Sequence, residues 1–145
     1  FTSERLYVKN ALPFKGHKTS ANGVPYAEST ATIFWRVMAP HFPNFLIWNT
    51  LPFHPHKPGE LLSIRTPTVR EVCAWLGLME EVLRIVEPEQ ILAVGRVAQN
   101  ALRQLDRTFT PIRHPSHGGA GEFRTGIEQA FSNATIEDIR CIPSS

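Results

Sequence analysis

Gln90-Ile91-Leu92-Ala93-Val94-Gly95-Arg96-Val97-Ala98-Gln99-Asn100-Ala101-Leu102-Arg103-Gln104-Leu105 joins two periodicities across one glycine. Its first five residues form a short, largely apolar run, the pattern of a strand buried on both faces. After Gly95, the residues Val97, Ala98, Ala101, Leu102 and Leu105 recur in steps of three and four, the buried stripe of a helix. A buried strand that turns through one glycine into an amphipathic helix is a building block of an α/β fold.

The flanking sequence repeats the theme. Upstream, Phe45-Leu46-Ile47-Trp48-Asn49-Thr50 is a second apolar run, bounded by Pro43 and Pro52, and reads as a buried parallel strand. Downstream, Thr108 to Arg113 is expected as a third. Ser29 or Thr30 can cap a helix whose apolar face holds Ile33, Phe34, Val37 and Met38 and which Pro40 stops. Thr68-Val69-Arg70-Glu71 is a capping-box signature. It opens what reads as the longest helix, with Val69, Val72, Cys73, Leu76, Met79, Leu83 and Val86 at helical spacing and an end before Pro88. Phe123 to Phe131 is expected as the last helix and residues 132–145 as a C-terminal tail. Strands separated by helices, without hairpin signals, argue for an α/β sandwich around a parallel sheet.

Two stretches resist regular structure. Residues 1–26, broken by Pro13, Gly16, Gly23 and Pro25, read as a short helix followed by a long surface loop. Pro52 to Pro67 carries Pro52, Pro55, Pro58 and Pro67, which suits a loop that must hold a shape.

The chain has 145 residues, enough for one domain that buries about two thirds of its unfolded surface. Hydrophobic residues make up 42%, charged residues 19%, and the net charge is +2, which excludes a disordered or histone-like protein and leaves any nucleic-acid binding to a local basic face. Cys73 and Cys141 are the two cysteines, so zinc fingers and four-cysteine iron-sulfur clusters are excluded within the chain. No disulfide is expected, since nothing else suggests secretion. With no apolar run of about 20 residues and no signal peptide, the expectation is a soluble, cytoplasmic protein that engages no membrane.

Polar residues gather where α/β sheets bind ligands, beyond the carboxyl ends of strands. Asn49 ends one apolar run; its amide can read a donor-acceptor edge such as that of uracil, or can tie down a turn. His114-Pro115-Ser116-His117-Gly118-Gly119 follows another strand and offers an imidazole, a hydroxyl and glycines that let backbone amides approach a phosphate; a strand-to-helix turn with a satisfied histidine is the alternative. His54-Pro55-His56 and His114-x-x-His117 lack a carboxylate or cysteine at ligand spacing, so no metal is expected. Gly95, a single glycine, makes no dinucleotide fingerprint. Phe34, Trp35, Trp48 and Trp75 are core candidates, whereas Phe53, in the proline-rich loop, is placed near a ligand.

Taken together, Leu46-Ile47-Trp48-Asn49 with Pro52, Arg65-Thr66-Pro67-Thr68-x-x-Glu71, Ile91-Leu92-Ala93-Val94-Gly95-Arg96-x-Ala98 and His114-Pro115-Ser116 resemble the uracil-DNA glycosylase superfamily, from Phe1 to about Phe131. The resemblance implies a three-layer α/β/α sandwich with a short parallel central sheet, within a single domain spanning residues 1–145. It implies a base-excision repair enzyme that flips uracil out of DNA and hydrolyses the N-glycosidic bond. Carried over, Asn49 reads the base and His114 donates a hydrogen bond to O2 as charge develops there. Phe1 is the ring stacked on uracil, Phe53 is a further substrate contact, and Ser116, Gly118 and Gly119 hold a DNA phosphate beside His117 in the wedge loop. The implied partner is uracil-containing DNA, bound by a monomer with no cofactor.

Three departures accompany the likeness. The first strand and its Gly-rich motif, which in the family position the hydrolytic water, would precede Phe1, so the chain reads as part of a longer enzyme. The wedge segment is His117-Gly118-Gly119-Ala120 where relatives carry a bulkier apolar residue, and the four cysteines of the iron-sulfur branch are lacking. Two rivals stay open: a non-catalytic nucleic-acid-binding module of the same fold, and an enzyme acting on free nucleosides or nucleotides.

Overall fold

The computed structural model describes residues 5–6, 12–13, 23–25, 27–60 and 63–140, with 133–140 as backbone alone. Phe1 and most of the expected N-terminal helix and loop lie outside these residues. The chain forms two compact units, one of residues 1–45 and 112–145, the other of residues 46–111.

In the first unit, α1 (Ser29–Met38) buries Ala31, Phe34, Val37 and Met38, positions spaced three, three and one apart on one face. Its cap is Glu28 rather than Ser29 or Thr30, and Glu28 contributes no side-chain cap bond; Thr32 Oγ1 instead donates to the Glu28 carbonyl at 3.0 Å. Pro40 does not stop the chain abruptly but enters a 3₁₀ turn, Ala39–His41, as an early residue whose missing N–H costs nothing. Helix α1 packs on the final helix of the chain, Ala120–Arg140, with the Phe34 and Phe123 rings 5.9 Å apart. Phe123 and Ile127 are almost fully buried there, each a burial worth about 1.5–3 kcal/mol. The final helix outruns the expected Phe123–Phe131 and occupies the segment 132–140 expected as tail.

The second unit follows the opening stretch of sequence closely. Strand β1 (Leu92–Val94) passes through Gly95, at φ 81°, into Gly95–Gln104, and Ala93, Ala101 and Leu102 join Val72 and Met79 in the core. Strand β2 (Thr110–Ile112) pairs with β1 in a short parallel sheet, the Thr110 N–H donating to the Ile91 carbonyl at 2.8 Å. The α/β class is thus observed, with a sheet of two strands among the described residues.

Three expectations give way here. Phe45 to Thr50 is not a strand: the segment has no regular secondary structure, no described strand runs beside it, and Leu46 and Trp48 are 60% and 44% exposed. An apolar run becomes a buried strand only where another strand supplies its ladder. The helix opened by Thr68 divides into α2 (Val69–Ala74) and α3 (Leu76–Val86) at Trp75, so the final helix, α5 below, is the longest among the described residues. Cys73, Val69 and Val86 are exposed rather than packed in the stripe, and Trp48 and Trp75 are exposed rather than core. Helix α4 is Gly95–Gln104 and α5 is Ala120–Arg140. No helix among the described residues is long and apolar enough to cross a membrane.

Candidate functional site

His114 follows β2 by two residues and opens the loop that leads into α5. Pro115 is buried beside it, which anchors the loop and leaves the imidazole half-buried. The backbone N–H of Ser116 donates to His114 Nδ1 at 3.2 Å, and the Ser116 hydroxyl lies 2.7 Å from the same nitrogen. A backbone N–H can only donate, so Nδ1 is the unprotonated nitrogen and the hydroxyl donates to it as well. In the neutral ring the remaining proton sits on Nε2, which is then a hydrogen-bond donor.

The electrostatics keep the ring neutral. Burial pushes the His114 pKa below its ordinary 6.5, the neighbouring Arg113 charge pushes the same way and His117 adds to it, while the Glu28 carboxylate opposes. Glu28, at the head of α1, is the contributor that sequence reasoning missed, since nothing in its local pattern points to a histidine so far along the chain.

The loop itself is shaped by two residues with left-handed backbone, His117 at φ 52° and Gly118 at φ 79°. Such a conformation is strained for a histidine and is concentrated at functional sites. Gly119 is buried, and a Cβ there would collide with the His114 carbonyl oxygen and lie 3.1 Å from the Arg113 side chain. Its demonstrated role is steric: it lets α5 begin directly under His114, with the Gly119 N–H donating to the Ser116 carbonyl at 3.1 Å. Gly118 has open space around it.

The second unit holds the other expected residues. Asn49 is exposed at the end of the apolar run. Four residues on, the ring of Phe53 meets that of Trp75 edge to face at 4.7 Å, and the two help line a hollow of about 270 Å³ with His54, His56, Arg65 and Glu71. The loop is pinned to α2 by a bidentate pair, Arg65 donating to Glu71 Oε2 at 2.8 Å and to Oε1 at 2.6 Å. The capping box forms as its signature predicts: the Glu71 N–H donates to Thr68 Oγ1 and the Thr68 N–H donates to Glu71 Oε2. Arg65 first, then the Thr68 amide and hydroxyl, hold the Glu71 carboxyl down at about 2.

His114, Ser116 and Gly119 are therefore brought together, with His117 and Gly118 in the same loop. Asn49 and Phe53 belong to the other compact unit. Trp75, a core candidate by sequence, is instead half of an aromatic wall. Among the described residues no group of three histidine, cysteine or acidic side chains is placed to hold a metal. His56 Nδ1 is taken up in donating to the Lys57 carbonyl at 2.9 Å.

The model of the uracil DNA glycosylase superfamily matches residues 13–140. The chain belongs to the uracil DNA glycosylase superfamily. The match takes in Asn49, Phe53, His114 and the loop to Gly119, and stops short of Phe1. No curated protein and no solved structure matches the chain. Membership brings a glycosylase-type function and DNA as the substrate of the family.

Proposed function

We propose that this superfamily member removes uracil from DNA, with Asn49 reading the base and His114 stabilising its departure. The observation that carries this is the Ser116 N–H on His114 Nδ1, which leaves a neutral ring with Nε2–H as donor. As the C1′–N1 bond breaks, its electron pair leaves with the base and spreads onto O2. A neutral N–H directed at that oxygen stabilises the developing charge without transferring a proton, an effect whose loss costs about 10²–10³ in rate. The sugar cation takes up the oxygen of a water molecule, whose proton passes to solvent.

The Asn49 amide accepts from uracil N3–H and donates to O4; cytosine presents the opposite pattern and leaves both amide groups unpaired. Gly118 and its neighbours, with His117 and Gly118 in left-handed backbone and open space around Gly118, receive a phosphate of the flipped nucleotide. The protein acts as a monomer in base-excision repair.

The test is release of free uracil from a uracil-containing oligonucleotide by the full-length protein and its His114→Ala variant. A drop of about 10²–10³-fold is expected. Undiminished release by the variant removes His114 from the mechanism, and binding without release by the unaltered protein identifies a non-catalytic module instead.

A further inference from the structure

The proline-rich loop holds two aromatic rings in the open. Phe53 is 56% and Trp75 37% exposed, and because they meet edge to face, neither ring stacks over the other. Exposed rings on a loose loop need no explanation, but this loop is tied at several points. Arg65 N–H donates to the Pro55 carbonyl at 3.1 Å, Arg65 Nε to the His56 carbonyl at 3.0 Å, and Lys57 N–H to Ser63 Oγ at 2.8 Å. The bidentate Arg65–Glu71 pair closes the loop onto α2, and Pro52, Pro55 and Pro58 remove backbone freedom. The aromatic wall is therefore preformed, and a ligand that covers it meets little cost of ordering.

The charges around the hollow select among ligands. Glu71 is the acid lining it, and that carboxylate already accepts from Arg65 and Thr68. The Arg65 guanidinium is spent on Glu71 and on carbonyls. What faces a ligand is two imidazoles, His54 and His56, with the exposed Lys57 next in the chain. A flat aromatic face beside a basic flank fits an unpaired nucleobase and its phosphate, the combination by which single strands are gripped. A volume of about 270 Å³ lies at the small end of ligand pockets, suited to one nucleoside rather than a peptide.

We propose that the hollow lined by Phe53, Trp75, His54 and His56 is a stacking subsite for an unpaired nucleobase of the DNA strand, next to the base read by Asn49, with Lys57 on its phosphate. Phe53 follows Asn49 by four residues, a reach of at most about 14 Å of chain. The subsite rests on the proposed action on DNA and adds a preference for strands whose neighbouring bases are unstacked. It takes its affinity from ring faces and is indifferent to which base it holds.

Binding of two single strands of equal length, neither containing uracil, tests this with the full chain: one of deoxyadenosines and one of abasic sugar units with the same phosphates. The base-bearing strand is expected to bind about 5- to 150-fold tighter, the equivalent of stacking one base. Phe53→Ala should erase most of that preference while leaving the abasic strand within about two-fold, and Phe53→Trp should keep or raise it. Lys57→Gln should weaken both strands together and lower the salt slope by about one. Equal affinity for the two strands, or a preference that survives Phe53→Ala in a protein of unchanged thermal unfolding, overturns the subsite. Uracil release measured in parallel separates the two readings: no release with the base preference intact counts against the glycosylase mechanism alone, and release without the preference counts against the subsite alone.

Discussion

His114 Nδ1 accepts from both the backbone N–H and the hydroxyl of Ser116, at 3.2 and 2.7 Å. One residue thus sets which nitrogen of the ring carries the proton, and does so through a group that mutation of the side chain does not remove.

Ser116→Ala is expected to slow uracil release only about 2- to 12-fold, the worth of one neutral hydrogen bond, because the backbone N–H still holds the tautomer. His114→Ala should cost far more. Equal losses for the two variants in single-turnover release would mean that the hydroxyl does more than orient the ring.

The pH profile follows from the lowered pKa of His114. With its folded-state value below 6.5, the ring is neutral at physiological pH, and release should stay flat down to about 6.5 and fall only below it. The same shift affects stability: the unfolded chain binds the proton more readily, so stability is full above about 6.5, declines as pH falls, and levels off below the folded value. An NMR titration of His114 checks both, and a midpoint above 6.5 contradicts them.

Gly119→Ala should lower stability by about 1–3 kcal/mol and the melting temperature by roughly 3–10 °C, because its Cβ meets the His114 carbonyl oxygen. Release should fall with it, as the loop moves. Gly121→Ala, in open space on the first turn of α5, should be neutral or stabilise by up to about 1 kcal/mol. Thermal unfolding of the pair distinguishes a steric position from a merely helical one.

Acid should loosen the proline-rich loop. Glu71, held at about 2 against an ordinary 4.5, contributes stability that is full above 4.5 and is lost as pH falls toward 2. Urea unfolding from pH 5 to 2 should show a steeper loss for the native protein than for Glu71→Gln. At neutral pH, Thr68→Ala should cost about 1 kcal/mol by removing the cap. Identical acid slopes for the native protein and Glu71→Gln would deny the carboxylate this role.

Much of the architecture is legible in the order of residues because it depends on near neighbours. The turn at Gly95, the stripe of α4 and the Thr68–Glu71 capping box each arise from contacts within about one helical turn or one peptide unit, and each forms where its pattern lies. The His114-Pro115-Ser116 triplet is legible for the same reason, since ring and hydroxyl are two residues apart. The family enters through the resemblance that the quoted segments carry, and the match over residues 13–140 agrees.

Other features have no local signal. Phe45 to Thr50 has the composition of a buried strand yet has no described strand beside it, and composition cannot supply a ladder. The helix after Thr68 breaks at Trp75, whose ring meets Phe53 from a distant loop, and Glu28 acts on His114 from the head of another helix. Local patterning decides which segments can be helix or strand and where a cap or turn falls, since those energies come from residues a few positions apart. Which rings stay exposed, which carboxylate faces the imidazole and which apolar run lacks a partner are set by chain segments that meet only in the folded state, through long-range packing and through-space charge.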